Sequence, residues 1–122
     1  MSQEPKYLSD LLITKVADNW TLQEGTLSIT ALALTIGTVL ARKANGEFTP
    51  IDFAGAAPLN KAVAVLAEPA AASTATQKLD FIRRGAAVAK SGLVFPTSAT
   101  AEQIATALNE LEALGIVPID VY

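Results

Sequence analysis

Side chains that commonly perform chemistry are scarce in this sequence, which contains no histidine and no cysteine. Histidine is the commonest general base at neutral pH and the commonest metal ligand, and cysteine is a strong nucleophile. No serine lies in a Gly-x-Ser-x-Gly frame, and neither phosphate-binding glycine motif, Gly-x-x-x-x-Gly-Lys-Ser/Thr or Gly-x-Gly-x-x-Gly, occurs. We therefore predict that the protein is not an enzyme and that it has no cofactor and no metal site.

Two groups of charged residues could still bind an anion or act as a catalytic carboxylate pair. Arg83 and Arg84 could bind a phosphate or carboxylate, but neighbours in a strand point to opposite faces, which favours a role in an interface or in an intramolecular ion pair. Five aspartates could converge as a carboxylate pair, although such residues usually keep a surface soluble: Asp10, Asp18, Asp52, Asp80 and Asp120. The glutamates Glu102, Glu110 and Glu112 are interpreted as the solvated face of a helix.

Composition narrows the class of partner. The 122 residues carry a net charge of −3, which disfavours nucleic acid, because phosphate binding relies on clustered Lys and Arg. The longest uncharged stretch, residues 25–41, is too short and too rich in threonine to cross a bilayer as a helix, so we predict no membrane span. Hydrophobic residues make up 51%, yet 23 residues are alanine and seven are aromatic. Because alanine buries little apolar area, the core of this single domain is expected to be weak. Contacts with protein partners are therefore expected to contribute to its stability.

The elements that would position any site are mainly short strands. Two β-prone runs, residues 36–43 and 47–52, flank Asn45-Gly46 and predict a hairpin with a type I′ turn, in which both of these residues have positive φ. Residues 61–68 predict a strand with Val63 and Val65 on one side. Further extended segments are predicted at residues 77–83, 86–89, 93–95 and 116–122, the last of them at a sheet edge because it contains Pro118.

One helix is predicted over residues 101–114. Thr100 and Gln103 form a capping-box pattern, and Gly115 supplies the stop. Apolar residues recur along it at helical spacing: Ile104, Ala107, Leu108, Leu111 and Leu114. The fold class is therefore α+β, with mainly short β-strands and one C-terminal helix.

Residues 1–24 differ from the rest of the chain in the pattern of their apolar residues. They are interpreted as an extended N-terminal arm, and residues 25–122 as the body. The arm has apolar residues grouped without a sustained helical period: Tyr7, Leu8, Leu11, Leu12, Ile13 and Trp20. Trp20 is the only tryptophan, and two roles stay open for it, a plug in the protein's own core or an anchor in a partner.

Taken in order, several segments resemble one known family, the lambda-type head decoration proteins of tailed bacteriophages, which cement the capsid. The segments are Gly37–Leu40, Gly46–Pro50, Ala62–Glu68, Phe81–Leu93 and Leu111–Val117. The resemblance runs from about Leu34 to Val117 and rests on the order and spacing of these pieces together.

The resemblance implies a β-clip-like body that forms homotrimers on the outer surface of the expanded head, after assembly in the host cytoplasm. The trimers would lie over three-fold sites and clamp the major capsid protein against the pressure of packaged DNA. It also implies that the N-terminal segment contacts the shell, which makes the apolar arm residues the predicted capsid contacts. Two alternatives remain, another virion accessory protein of the tail or fibre and a β-clip ligand-binding or enzyme module.

Overall fold

The computed structural model describes residues 12–15, 22–30, 32–56 and 58–119, and these ranges form eight β-strands, a short 3-10 helix and one α-helix. The first four strands are β1 (Leu12–Lys15), β2 (Leu22–Leu27), β3 (Val39–Arg42) and β4 (Phe48–Pro50). The other four are β5 (Ala64–Leu66), β6 (Gln77–Ile82), β7 (Ala86–Ala89) and β8 (Ile116–Ile119). The 3-10 helix is Lys90–Gly92, and the α-helix, α1, is Ala101–Ala113.

The strands form a closed barrel and a separate small sheet. The barrel has the order β2-β4-β3-β5-β6, and it closes where β6 pairs antiparallel with β2, from Leu22 opposite Ile82 to Leu27 opposite Gln77. The small sheet has the order β1-β7-β8, with β1 antiparallel and β8 parallel to β7. The structure consists mostly of strands with one C-terminal helix, which agrees with the predicted α+β class. The predicted β-clip and extended N-terminal arm are not confirmed.

Side chains alternate along each strand, so the buried residues form two clusters. One cluster fills the barrel interior and is called the barrel cluster, and the other lies between the barrel, the small sheet and α1 and is called the outer core. Leu40 faces the barrel interior, and its neighbours Val39 and Ala41 face the space between the barrel, the small sheet and α1. Phe81 and Ile82 divide in the same way, and all five side chains are fully buried. Because these strands are buried on both faces, they contain consecutive apolar residues where a half-exposed strand would alternate apolar with polar residues.

A phenylalanine pair fills the barrel. The rings of Phe48 and Phe81 lie 4.6 Å apart between centroids, tilted by 36°. They pack directly on the backbone of β2, where a β-carbon on Gly25 would lie 2.7 Å from Phe81 and 2.8 Å from Phe48. Glycine at this position therefore lets the two largest interior side chains fit.

The predicted hairpin is confirmed, but the predicted turn type is wrong. β3 and β4 pair antiparallel, with Arg42 opposite Phe48. Only Gly46 in the loop has a positive φ, of 94°; Asn45 does not. The Gly46 N–H donates to Lys43 O (2.9 Å) and the Lys43 N–H donates to Glu47 O (2.8 Å), which is the three-residue loop with a glycine bulge. Asn45 uses its side chain instead, and its Oδ1 accepts from the Glu47 N–H at 3.0 Å.

Of the remaining predicted strands, β5 and β6 are shorter than predicted, β7 has the predicted bounds, and β8 begins at Ile116 as predicted. β8 lies at the edge of the small sheet, as Pro118 predicts. The 93–95 segment contributes one bridge, from Val94 to Thr38, and no strand. Val63 and Val65 do not share a side: Val65 packs in the outer core, whereas Val63 precedes the first residue of β5 and packs on the barrel cluster.

The helix is confirmed with both of its end signals. Thr100 Oγ1 accepts from the Gln103 N–H at 3.2 Å, and Gln103 Oε1 accepts from the Thr100 N–H at 2.9 Å, so the capping box is closed. Gly115 follows with a φ of 83°. Ala107 and Leu111 are fully buried and anchor α1 on the outer core.

Thr100→Ala is expected to lower the free energy of unfolding by about 1 kcal/mol, because the first turn loses its side-chain acceptor. Thr106→Ala is the matched control, since the exposed Thr106 hydroxyl only donates within the helix, to Glu102 O at 3.0 Å. Urea denaturation measures both variants. Equal midpoints for the two would contradict a stabilising role for the cap.

Candidate protein-binding surfaces

The predicted arm residues divide between described and undescribed parts of the chain. Leu12 and Ile13 lie in β1, where the backbone of Leu12 is opposite Val88 of β7. Leu22 to Glu24, at the end of the predicted arm, belong to β2 in the barrel. Tyr7, Leu8, Leu11 and Trp20 lie outside the described residues. The structure therefore places the start of the folded sheets inside the segment interpreted as an arm.

An apolar groove lies beside the long connection between β2 and β3. Its volume is about 590 Å³, and its apolar lining includes Leu32, Leu34, Val39, Ile51, Val94 and Phe95. Leu32 is 74% exposed. The connection is held at both ends of this stretch, by the Thr30–Ser73 and Leu34–Ala70 bridges, and the Thr30 hydroxyl donates to Leu32 O at 2.7 Å. The backbone thus fixes a large apolar side chain in solvent, which is typical of a surface that meets another protein.

A second apolar surface lies at the free edge of the small sheet. Val117 and Ile119 of β8 are 43% and 38% exposed, and Leu114 just before this strand is 39% exposed. Alternation along β8 turns Ile116 inward, where it is fully buried, and Val117 outward. Pro118 lacks an N–H, so this edge offers fewer hydrogen bonds for open-ended strand addition. We call Leu114, Val117 and Ile119 the edge patch.

A third feature is a group of three arginines, Arg42, Arg83 and Arg84, which we call the arginine cluster. The guanidiniums of Arg42 and Arg83 lie over the Phe48 ring, 5.1 and 5.0 Å from its centroid. Arg84 donates from Nη2 to Gln23 Oε1 at 3.1 Å. Burial lowers the pKa of Arg83, and repulsion from the Arg42 and Arg84 guanidiniums lowers it further. The sequence prediction considered the Arg83-Arg84 pair but missed Arg42, which is 41 positions away from Arg83 in the chain.

Two of the described carboxylates, those of Asp52 and Glu110, have structural roles. Asp52 Oδ1 accepts from the Ala54 N–H at 3.0 Å and so closes its own turn. Glu110 is not merely solvated, because its Oε1 accepts from the Ala62 N–H at 2.9 Å and ties α1 to the start of the β5 region. Asp10, Asp18 and Asp120 lie outside the described residues. Within the described ranges, no group of three or more acidic side chains is arranged to hold a metal ion.

Comparison with known families supplies the observation that decides identity. A family model described as bacteriophage lambda head decoration protein D matches residues 1–116. The chain belongs to this family. The match begins at the first residue and so includes the whole segment interpreted as an arm. No curated protein matches the sequence.

Membership in the head decoration family makes this a structural protein of the bacteriophage virion, with a role in decorating the capsid. The family is structural rather than enzymatic. In the part of the chain that the structure describes, no helix is long and apolar enough to cross a membrane.

Proposed function

We propose that this head decoration protein binds the major capsid protein as homotrimers at three-fold sites on the outer surface of the expanded head. Residues 1–24 act as the capsid-binding arm, with contacts from Tyr7, Leu8, Leu11, Leu12, Ile13 and Trp20, and residues 25–122 form the body. The observation that carries the proposal is the family match over residues 1–116. β1 and the first residues of β2 belong to the sheets, so residues 1–11 are the part of the proposed arm that precedes every described strand.

The surfaces of the body support a cyclic assembly. A ring of identical subunits needs two different patches on each chain, one for each neighbour. The apolar groove and the edge patch are two such patches, formed by separate elements of the fold. Burying them against copies would add apolar contacts to a core in which many of the buried residues are alanine.

Copurification with empty heads tests the function. If the protein recognises the expanded shell, it should remain bound to expanded heads through sedimentation and should be absent from unexpanded heads. Equal recovery from both kinds of head would contradict recognition of the expanded shell. Recovery with isolated tails and not with heads would point to a tail or fibre accessory protein.

Leu32→Ser tests the groove as a contact surface. Because Leu32 is 74% exposed, the substitution should change the free energy of unfolding of the free protein by less than about 0.5 kcal/mol. It should nevertheless lower the amount of protein retained on expanded heads, since an apolar anchor is lost from a protein contact. Ala105→Ser, at an exposed position of α1, is the matched control. Full retention of Leu32→Ser would place the contacts elsewhere on the body.

A further inference from the structure

The arginine cluster lies where two barrel strands, β3 and β6, end. Arg42 is the last residue of β3 and follows the interior residue Leu40 by two positions. Arg83 comes directly after β6 and follows the interior residue Phe81 by two positions. The alternation of strands therefore directs both arginines toward the interior side of the wall, at the end of the barrel where the Phe48 ring lies.

The charges of Arg42 and Arg83 are not balanced by carboxylates of the described residues. Arg42 Nε donates to a neutral acceptor, Gly46 O, at 3.0 Å. The nearby Glu47 carboxylate lies 4.0 Å from the Lys43 ammonium. Among the residues that the structure describes, no carboxylate forms an ion pair with Arg42 or Arg83, and the buried Nε of Arg83 has no hydrogen-bond acceptor.

Within the described residues, such an arrangement is unfavourable. A buried donor on a charged group loses its water without gaining a protein partner, and three guanidiniums repel one another. Stacking on the Phe48 ring holds two of them in a fixed orientation. A preorganised, unneutralised pair of planar cations is suited to an anionic ligand that arrives from outside the described residues.

We propose that the arginine cluster binds a carboxylate group carried by another protein molecule. A carboxylate matches the planar fork of a guanidinium and can accept two parallel N–H bonds. A nucleic acid fits less well, because a polyanion needs many phosphate contacts and the chain has a net charge of −3. This inference rests on the proposed function, since the carboxylate would come from a neighbouring copy or from the capsid shell.

Arg83→Met is the first test, because methionine can still cover the Phe48 ring but has no charge. The free protein should have an unchanged or higher unfolding temperature, since repulsion and an unpartnered donor are removed. The affinity for expanded heads should fall about tenfold, and its dependence on NaCl should weaken. Lys61→Gln removes one positive charge from an exposed position elsewhere and is the control, expected to bind like the parent.

The source of the carboxylate follows from two readouts. If the trimer of Arg83→Met dissociates at higher protein concentration than that of the parent, the carboxylate belongs to a neighbouring copy. If the trimer is unchanged and head binding is weaker, the carboxylate belongs to the shell. If Arg83→Met and Lys61→Gln bind equally and with the parental salt dependence, while the parent does bind heads, the inference is wrong and the proposed function stands.

A titration of the parent protein keeps the inference testable without a variant or a head. The Nε–Hε signal of Arg83 in a nitrogen-15 NMR spectrum is expected to shift saturably with an oligoglutamate peptide and to stay unchanged with oligoglutamine. No shift with oligoglutamate, or a shift at lower concentration with a short DNA duplex, would overturn the assignment of a protein carboxylate. Because no capsid is present, this result does not depend on the proposed function.

Discussion

Deletion of residues 1–11 is expected to reduce the affinity for expanded heads by about a hundredfold or more, while leaving the unfolding temperature of the free protein nearly unchanged. These residues precede β1, so none of the described strands is removed. In a trimer, three arms bind together, and each weak contact raises the effective concentration of the next. Cosedimentation with heads and thermal unfolding by circular dichroism measure the two effects.

Deletion of residues 1–20 is the comparison for this experiment. It also removes β1 and uncovers the edge of β7, so it should lower the unfolding temperature as well as the head binding. Trp20→Ala separates the two roles left open for that residue, because a plug would lower stability and an anchor would lower binding. Failure of the 1–11 deletion to fold would make these residues part of the core. Normal decoration by it would place the capsid contacts on the body.

Leu111→Ala is expected to lower the free energy of unfolding by about 2–5 kcal/mol, because it leaves a cavity in the outer core. The side chain is fully buried between α1 and the strands, beside Ile116 and Val88 in the same cluster. Urea denaturation at fixed protein concentration measures this change, since assembly also affects apparent stability.

The same substitution at Leu108 in α1 and at Leu114, the C-cap of the helix, provides a graded control. Leu108 is only partly buried against the outer core, so Leu108→Ala should cost less than Leu111→Ala. Leu114 is 39% exposed in the edge patch, and Leu114→Ala should change the free energy of unfolding by less than about 1 kcal/mol. Equal losses at Leu111 and Leu114 would show that the buried face of α1 is not the one described.

The helix and the hairpin could be predicted because their signals are local. Thr100, Gln103 and Gly115 act at the two ends of the helix, and Gly46 acts within a three-residue loop. The turn type was wrong because Asn-Gly also suits a longer loop, in which glycine alone takes the positive φ and asparagine bonds through its side chain.

Barrel closure could not be predicted in this way. It depends on the pairing of β2 with β6, from Leu22 opposite Ile82 to Leu27 opposite Gln77, and on a single parallel pairing of Leu27 with Phe48. The need for Gly25 is visible only once the two phenylalanine rings are placed on it. Strands buried on both faces also hide the alternation that would reveal which residues share a side.

The candidate surfaces could not be predicted either, because they depend on how distant parts of the chain fold together. The sequence analysis did not single out Leu32, and only its exposure in the folded chain identifies it as part of a surface. The Arg83-Arg84 pair was visible, but its third member Arg42 is brought to it by the pairing of β3, β5 and β6. The apolar residues of the arm were visible from composition, and their role as capsid contacts remains a proposal.

Electron cryomicroscopy of heads mixed with the protein tests the central claim most directly. Expanded and unexpanded heads are incubated with the protein, washed, and reconstructed in parallel. We predict trimeric density over the three-fold sites on the outside of expanded heads, with connections from each N-terminal segment to the major capsid protein, and none on unexpanded heads. Monomers or dimers at other positions, or density on the inner surface, would contradict the account.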